Sequence, residues 1–325
     1  MKIVYLGSDV ALPVLQKLVE SEHEILAVVC NIDKPNARGN KIVLSKTKQF
    51  ANEHNIKVLQ YKKIRAEGYD DLKALNPDII VSAAFGQIIS QKIIDLSKVA
   101  TLNVHPSLLP KYRGPSPIVS AIMNGDLETG VSIMGMMLEV DAGPVYKQKK
   151  VKIEGETAGD LTDKLFEIGA DMLLEVIDEI KNGTMEKTLQ DNSQATFCYM
   201  IKPEDAKLDF SSSCEMLNNK VRALNPTPIA FFEYLGEKYK VFEADYALSG
   251  SEKYSQICAA LNKNQFDCGE IVFSKSKPFG LVIKAQNGFF MPKTIQAPNC
   301  KVVDIKSYLN GKSFIVGEKI WKQVC

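Results

Sequence analysis

The first thirty residues constrain the fold most, because their apolar pattern switches from the spacing of a strand to that of a helix and back. A short apolar run, Lys2–Leu6, ends at a glycine, and Pro13–Glu20 repeats its apolar side chains at helical spacing. A second apolar run, Glu24–Cys30, follows directly. A strand, a helix and another strand in this order predict a mostly parallel α/β sheet with right-handed crossovers.

The turn after the first strand argues against one common class of α/β protein. It reads Gly7-Ser8-Asp9, without the G-x-G-x-x-G pattern, so the fingerprint of a dinucleotide-binding dehydrogenase is missing. Residues 31–48 then form a polar, basic stretch that interrupts the alternation of strands and helices. A loop of this length is usually functional or mobile.

Two polar side chains end a later strand. The apolar run Asp78–Ala84 predicts a buried central strand, and the next strand carries Asn103 and His105 two residues apart. Because side chains alternate along a strand, both leave the same face. Pro106 lacks a backbone N–H and stops the strand. The pair is therefore expected at the carboxyl end of the strand, where open α/β sheets bind ligands.

Asp141, in a glycine-containing loop, adds a carboxylate to this amide and imidazole. Such a trio suits the stabilisation of an oxyanion and the movement of a proton between two nitrogens. Taken alone, Asn-x-His at a strand end is more often an ordinary hydrogen-bonded pair, and Asp141 could equally cap its own turn. No serine, cysteine or lysine is placed as a nucleophile, which favours direct transfer over a covalent intermediate.

The composition bears on three further questions: a metal site, a membrane location and a surface for nucleic acid. Seven cysteines without a C-x-x-C pair and only three histidines predict no metal site. No apolar run has the length of a membrane span and the start is unlike a targeting peptide, so we expect a cytoplasmic chain with no membrane partner. The net charge is +1, but nine lysines and only two acidic residues follow Ile271. That surplus fits a phosphate-facing surface or, equally, lysines that solvate a small β structure.

The pattern changes near residue 209, after which short β-rich segments are separated by polar turns. This pattern predicts a small antiparallel barrel. We therefore divide the chain into a catalytic domain, residues 1–205, and a barrel domain, residues 206–325.

The motif from Asn103 to Pro110, followed by Tyr112-Arg113-Gly114, resembles the signature of the formyltransferases that use 10-formyltetrahydrofolate. The resemblance implies a Rossmann-like catalytic domain with 10-formyltetrahydrofolate as co-substrate and no metal. It also implies that Asn103, His105 and Asp141 are catalytic. The residues that it implies for the folate site are Phe85, Gly86, Gln87, Ile88, Ser107, Leu108, Leu109 and Pro110.

Further resemblance points to the branch of that family that formylates methionyl initiator tRNA. Arg38 and Lys41 lie in a basic loop similar to the one that contacts the tRNA in that branch, and the barrel would be an OB-like tRNA-binding domain. The same resemblance suggests a monomer. Ser8, Asp9 and Val119 depart from the family pattern without touching the trio.

Two rival functions remain open at this point. An amino-sugar N-formyltransferase needs the same trio but a nucleotide-sugar pocket. A non-catalytic RNA-binding protein could pair an inactive transferase with a barrel, although the complete trio of Asn103, His105 and Asp141 argues against it.

Overall fold

The computed structural model describes residues 1–35, 42–261 and 265–320, and the chain divides into two compact units. The first unit contains Met1–Ile118, Glu128–Ile153 and Asp160–Met200. The second contains Val119–Leu127, Glu154–Gly159 and the chain from Ile201 onward. Within the described ranges, no helix has both the length and the hydropathy needed to cross a membrane.

Seven strands of the first unit form one sheet in the order β5-β2-β1-β6-β7-β8-β9. The strands up to residue 152 are β1 (Lys2–Gly7), β2 (Glu24–Cys30), β3 (Lys34–Pro35), β4 (Ile42–Val43), β5 (Val58–Gln60), β6 (Ile79–Ala83), β7 (Ala100–His105), β8 (Glu128–Gly135) and β9 (Val145–Lys152). The first five strands of that order pair in parallel, while β8 and β9 are antiparallel. The predicted Rossmann-like, mostly parallel sheet is therefore confirmed.

Helices cover this sheet, which explains why its central strands are apolar throughout. The helices up to residue 182 are α1 (Leu12–Glu20), α2 (Lys46–Glu53), α3 (Ile64–Glu67), α4 (Tyr69–Leu75), α5 (Gln91–Ile94), α6 (Pro117–Met123) and α7 (Ala158–Asn182). Every residue of β6 is buried, as expected for a strand covered on both faces. Short 3₁₀ turns lie at Asp9–Ala11, Asn192–Gln194 and Pro203–Ala206.

The structure differs from the sequence expectation between residues 31 and 48. Two short strands, β3 and β4, pair there, and α2 already begins at Lys46. Ser45 caps this helix, because its hydroxyl accepts the Lys48 N–H at 3.2 Å. Only Thr47 and Ala51 of α2 are buried, so the apolar spacing that would have predicted its first turn is missing.

The second unit contains a six-stranded antiparallel sheet that forms a half-barrel. Its strands are β10 (Phe231–Tyr234), β11 (Glu237–Leu248), β12 (Ile271–Lys275), β13 (Gly280–Ala285), β14 (Gly288–Gln296) and β15 (Val302–Asp304), in the order β10-β11-β14-β13-β12 with β15 beside β14. Its helices are α8 (Cys214–Ala223), α9 (Glu252–Leu261) and α10 (Ile305–Tyr308). Phe210 packs edge-on against Phe232 and Phe290 in its core, which confirms the predicted small β domain.

Candidate active site

The carboxyl end of β7 carries the first two predicted catalytic side chains. Asn103 lies opposite Ser82 of β6 and Met134 of β8, so sheet hydrogen bonds on both sides fix its backbone. Its side chain is half-buried and, among the described residues, has no hydrogen-bond partner. The carboxamide is thus a donor that no group of the described chain occupies.

His105 ends the same strand, and its ring is almost completely buried. Its Nε2 lies 3.0 Å from the carbonyl oxygen of Tyr112, which can only accept, so Nε2 donates this hydrogen bond. Nδ1 faces Asp141 Oδ2 at 3.6 Å, longer than an ordinary hydrogen bond. Catalytic hydrogen bonds are often long in a free enzyme and shorten when the substrate binds.

Asp141 reaches this strand end from a loop. Its Oδ2 accepts the Gly114 N–H at 2.8 Å, and its backbone has a left-handed φ of 53°. Tyr112, whose carbonyl holds His105, is also left-handed, with a φ of 60°. Such values cost free energy in non-glycine residues and cluster at functional sites. The structure thus brings the three residues of the predicted trio together.

Two glycines, one in the Asp141 loop and one in the turn after β7, allow close approach of neighbouring backbone. A Cβ added at Gly143 would lie 1.8 Å from the carbonyl oxygen of Gly135. At Gly114 a Cβ would lie 2.2 Å from the carbonyl oxygen of Cys198, and φ is 120°. Only glycine fits either position without moving backbone.

The predicted folate segment after β7 is held by the hydroxyl of Ser132. This hydroxyl donates to the carbonyl oxygen of Ser107 at 2.6 Å and accepts the Leu109 N–H at 3.2 Å. Gln148 donates to the same hydroxyl and to the carbonyl oxygen of Leu109, both at 2.8 Å. Ser107 itself is completely buried and donates to Lys111, whereas Leu108 and Pro110 are partly exposed.

The other predicted folate segment, Phe85 to Ile88, follows β6. Phe85 is buried, Gly86 has a φ of 76° with open space beside its Cα, and Ile88 is exposed. The side chain of Gln87 is turned into the protein, where it accepts the Ile64 N–H at 2.9 Å. Any contact that this loop makes with a ligand therefore comes from its backbone and from Ile88.

Beside this loop, an open cavity of about 380 Å³ lies at the carboxyl ends of β1 and β2. Its lining residues are Ser8, Asp9, Val10, Cys30, Asn31, Ile32, Asp33, Val43, Leu44 and Ser45. Hydrogen bonding from Lys48 lowers the pKa of Asp33, one of the acidic groups of this lining.

Arg38 and Lys41, the predicted tRNA contacts, lie outside the described residues.

The sequence assigned no role to several residues of the site. Tyr112 holds His105 through its carbonyl, while Ser132 and Gln148 hold the segment after β7. Residues 188–198, which we call the strap, also pair with the turn at Tyr112. A serine inside an apolar strand was the one available signal, since Ser132 is completely buried in β8.

Within the described part of the chain, no cluster of His, Cys, Asp and Glu could hold a metal ion.

Family models match both units of the chain. Residues 1–177 match the formyl transferase family, and residues 200–313 match the formyl transferase C-terminal domain. The chain is 38% identical over 323 residues to the methionyl-tRNA formyltransferase of Sulfurihydrogenibium sp., covering 98% of this chain and 99% of that one. It is 36% identical over 324 residues to the methionyl-tRNA formyltransferase of Fusobacterium nucleatum subsp. nucleatum, covering 98% of this chain and all of that one.

The chain belongs to the methionyl-tRNA formyltransferase family.

Solved structures with low sequence identity share the fold of this chain. HypX from Aquifex aeolicus, solved with tetrahydrofolic acid, matches with a TM-score of 0.61 and 17% identity over 95% of this chain. The match covers 47% of HypX, so the chain spans about half of that protein. An N-formyltransferase from Helicobacter canadensis, solved with folinic acid and dTDP-3-aminofucose, matches with a TM-score of 0.62 and 20% identity, covering 91% of this chain and 99% of that one.

Proposed function

We propose that this protein transfers the formyl group of 10-formyltetrahydrofolate to the α-amine of methionyl initiator tRNA. The amine nitrogen bonds to the formyl carbon, and the bond from that carbon to N10 breaks. One proton leaves the amine and one reaches N10, so the products are formylmethionyl-tRNA and tetrahydrofolate. The observation that carries this proposal is the match to methionyl-tRNA formyltransferases along almost the entire chain.

The geometry at the end of β7 supports a role for each member of the trio. The Asn103 carboxamide, which has no side-chain partner in the described chain, donates to the oxyanion of the tetrahedral intermediate. His105, buried between Tyr112 and Asp141, carries the proton that N10 needs when the folate leaves. The carboxylate of Asp141 keeps the imidazole in place, and a Gly114 N–H in turn keeps the carboxylate in place.

Both substrates are proposed to bind at the carboxyl edge of the sheet. The residues that we assign to the folate are Phe85, Gly86, Gln87, Ile88, Ser107, Leu108, Leu109 and Pro110. Among them, Ser107 and the Gln87 side chain act by shaping the backbone, because protein groups already occupy their polar atoms. Arg38 and Lys41 are assigned to phosphates of the tRNA acceptor end, as is the basic surface of the barrel. We further propose that the protein acts as a monomer in the cytoplasm.

One assay tests this function directly. The purified protein is mixed with 10-formyltetrahydrofolate and methionyl initiator tRNA. The ester is then hydrolysed, and the formylmethionine released from the tRNA is measured. Accumulation of formylmethionine supports the proposal, and its absence under conditions where the protein is folded refutes it. A parallel reaction with a dTDP-amino sugar tests the rival activity, since formylation of the sugar but not of the tRNA would assign the chain to that class.

A further inference from the structure

The strap, residues 188–198, makes a series of hydrogen bonds with the turn at Tyr112 and Arg113. The Arg113 N–H donates to the carbonyl oxygen of Thr196 at 2.9 Å, and the Cys198 N–H donates back to the carbonyl oxygen of Arg113 at 2.8 Å. The Tyr112 N–H donates to Thr196 Oγ1 at 2.9 Å. At its other end the strap pairs with β9, where Val145 and Thr188 exchange two hydrogen bonds of 2.8 Å. The strap therefore touches the turn that holds His105 and the start of the strand that follows the Asp141 loop.

Between these two ends, two side chains of the strap accept hydrogen bonds from Arg113, which lies in the turn after β7. Arg113 is buried, with 2% of its surface exposed, and its Nε and Nη2 donate to Gln190 Oε1 at 3.0 and 2.8 Å. Nη2 also donates to Asn192 Oδ1 at 2.7 Å. The guanidinium therefore holds the Gln190 carbonyl oxygen, because two of its N–H groups donate to that atom.

The nitrogen of the same Gln190 amide holds the loop that carries Asp141. Gln190 Nε2 donates to the carbonyl oxygen of Asp141 at 2.8 Å and to that of Gly143 at 2.7 Å. An arginine can only donate and a carbonyl can only accept, so the orientation of the amide is determined by its neighbours. All four hydrogen-bonding positions of Gln190 are used, and the two carbonyls that it binds belong to Asp141 and the second residue after it.

We propose that Gln190 is a positioning residue for Asp141, and that Arg113 serves as its anchor. The left-handed backbone of Asp141 belongs to no strand, so it lacks the ladder that fixes Asn103 and His105. Gln190 supplies the missing constraint from 49 residues away in the sequence. This inference rests on the proposed function only for its assay, because the contacts themselves belong to the folded chain.

Two substitutions at Gln190 distinguish the contacts of its amide oxygen from those of its amide nitrogen. Gln190→Met keeps the length of the side chain and removes every polar contact. Gln190→Glu keeps an acceptor for Arg113 but places an oxygen against two carbonyl oxygens. Both are expected to lower kcat by roughly 10²-fold, the cost of a catalytic group misplaced by about 1 Å, with KM changed by less than about threefold. Gln194→Met is the matched control, because Gln194 lies on the same strap and its side chain bonds, among the described residues, only to Asp191.

A double-mutant cycle distinguishes positioning of Asp141 from general support of the fold. In an Asp141→Asn background the loss has already occurred, so adding Gln190→Met is expected to lower kcat by less than about threefold. A further fall as large as that in the wild-type background would overturn the proposal. So would a Gln190→Met variant with full activity.

Hydrogen–deuterium exchange requires no substrate, so it tests the positioning of Asp141 independently of the proposed function. The Gly114 N–H is bonded to Asp141 Oδ2, so its hydrogen–deuterium exchange reports where the carboxylate lies. In Gln190→Met the exchange of Gly114 is expected to accelerate by at least about tenfold, while the amides of β1 and β6 keep their rates. Unchanged exchange at Gly114 would refute the positioning role even if the wild-type protein formylated no tRNA.

Discussion

The members of the proposed catalytic trio are held in place by two different means. Asn103 and His105 stand on β7, between two neighbouring strands, so the sheet ladder fixes their backbone. Asp141 lies in a loop with a left-handed backbone, and the Gly114 N–H and the Gln190 side chain hold it. The strand end depends on a core that folds as a unit, whereas the loop depends on a few hydrogen bonds. A substitution at one half should therefore leave a different signature from a substitution at the other.

The largest expected effect comes from the strand end. Asn103→Ala removes the proposed oxyanion donor and should lower kcat by roughly 10²- to 10³-fold. Because the carboxamide has no partner among the described residues, the melting temperature should stay within about 2 °C of the wild type. Steady-state formylation and differential scanning calorimetry measure the two quantities. Asn52→Ala on the exposed face of α2 is the control, and near-normal kcat in Asn103→Ala would remove this residue from the mechanism.

At the loop, activity and stability should fall together. In Gly143→Ala the new Cβ would lie 1.8 Å from the Gly135 carbonyl oxygen, so the loop rather than the paired strand β8 must yield. Displacement of Asp141 should lower kcat by roughly 10²-fold, and the crowding should cost about 1–3 kcal/mol of unfolding free energy. Gly311→Ala, where the added Cβ meets open space, should change neither quantity. If Gly143→Ala lost stability but kept kcat, the loop would not control the position of the carboxylate.

The smallest expected effect concerns the thiol of Cys198, which lies against the turn at Tyr112 and Arg113. Burial raises the pKa of Cys198, whose Sγ lies 3.4 Å from the carbonyl oxygen of Arg113. Since a raised pKa means less thiolate at pH 8, iodoacetamide should alkylate Cys198 more slowly than the exposed Cys300, by roughly tenfold or more. The rate at Cys198 should rise as the pH approaches the raised pKa. Peptide mass spectrometry gives both rates, and equal rates would show that the strap opens readily.

The strand end could be predicted from the sequence because it obeys local rules. An apolar run, alternating side chains and a proline stop predict both the position of Asn103 and His105 and the face of the sheet that they share. The same rules predict the parallel sheet and the small β domain. They fail at Lys46, where α2 begins with polar residues and Ser45 is the only signal of a helix start.

The contacts that hold Asp141 could not be predicted in the same way. Gln190 stands in a polar stretch without periodicity, and its partners lie 47 to 77 residues away in the sequence. No spacing rule connects an amide to two backbone carbonyls over such a distance. Tyr112 is a similar case, because a left-handed tyrosine has no signature in one sequence.

The position of the strap along the chain determines where this protein can be divided. It lies between the two family matches, which end at residue 177 and begin again at residue 200. A chimera that joined a foreign C-terminal domain directly after α7 would keep the whole sheet but lose Gln190, Thr196 and Cys198. Exchange of C-terminal modules, by recombination or by design, therefore has to occur beyond Met200 if the Asp141 carboxylate is to keep its place.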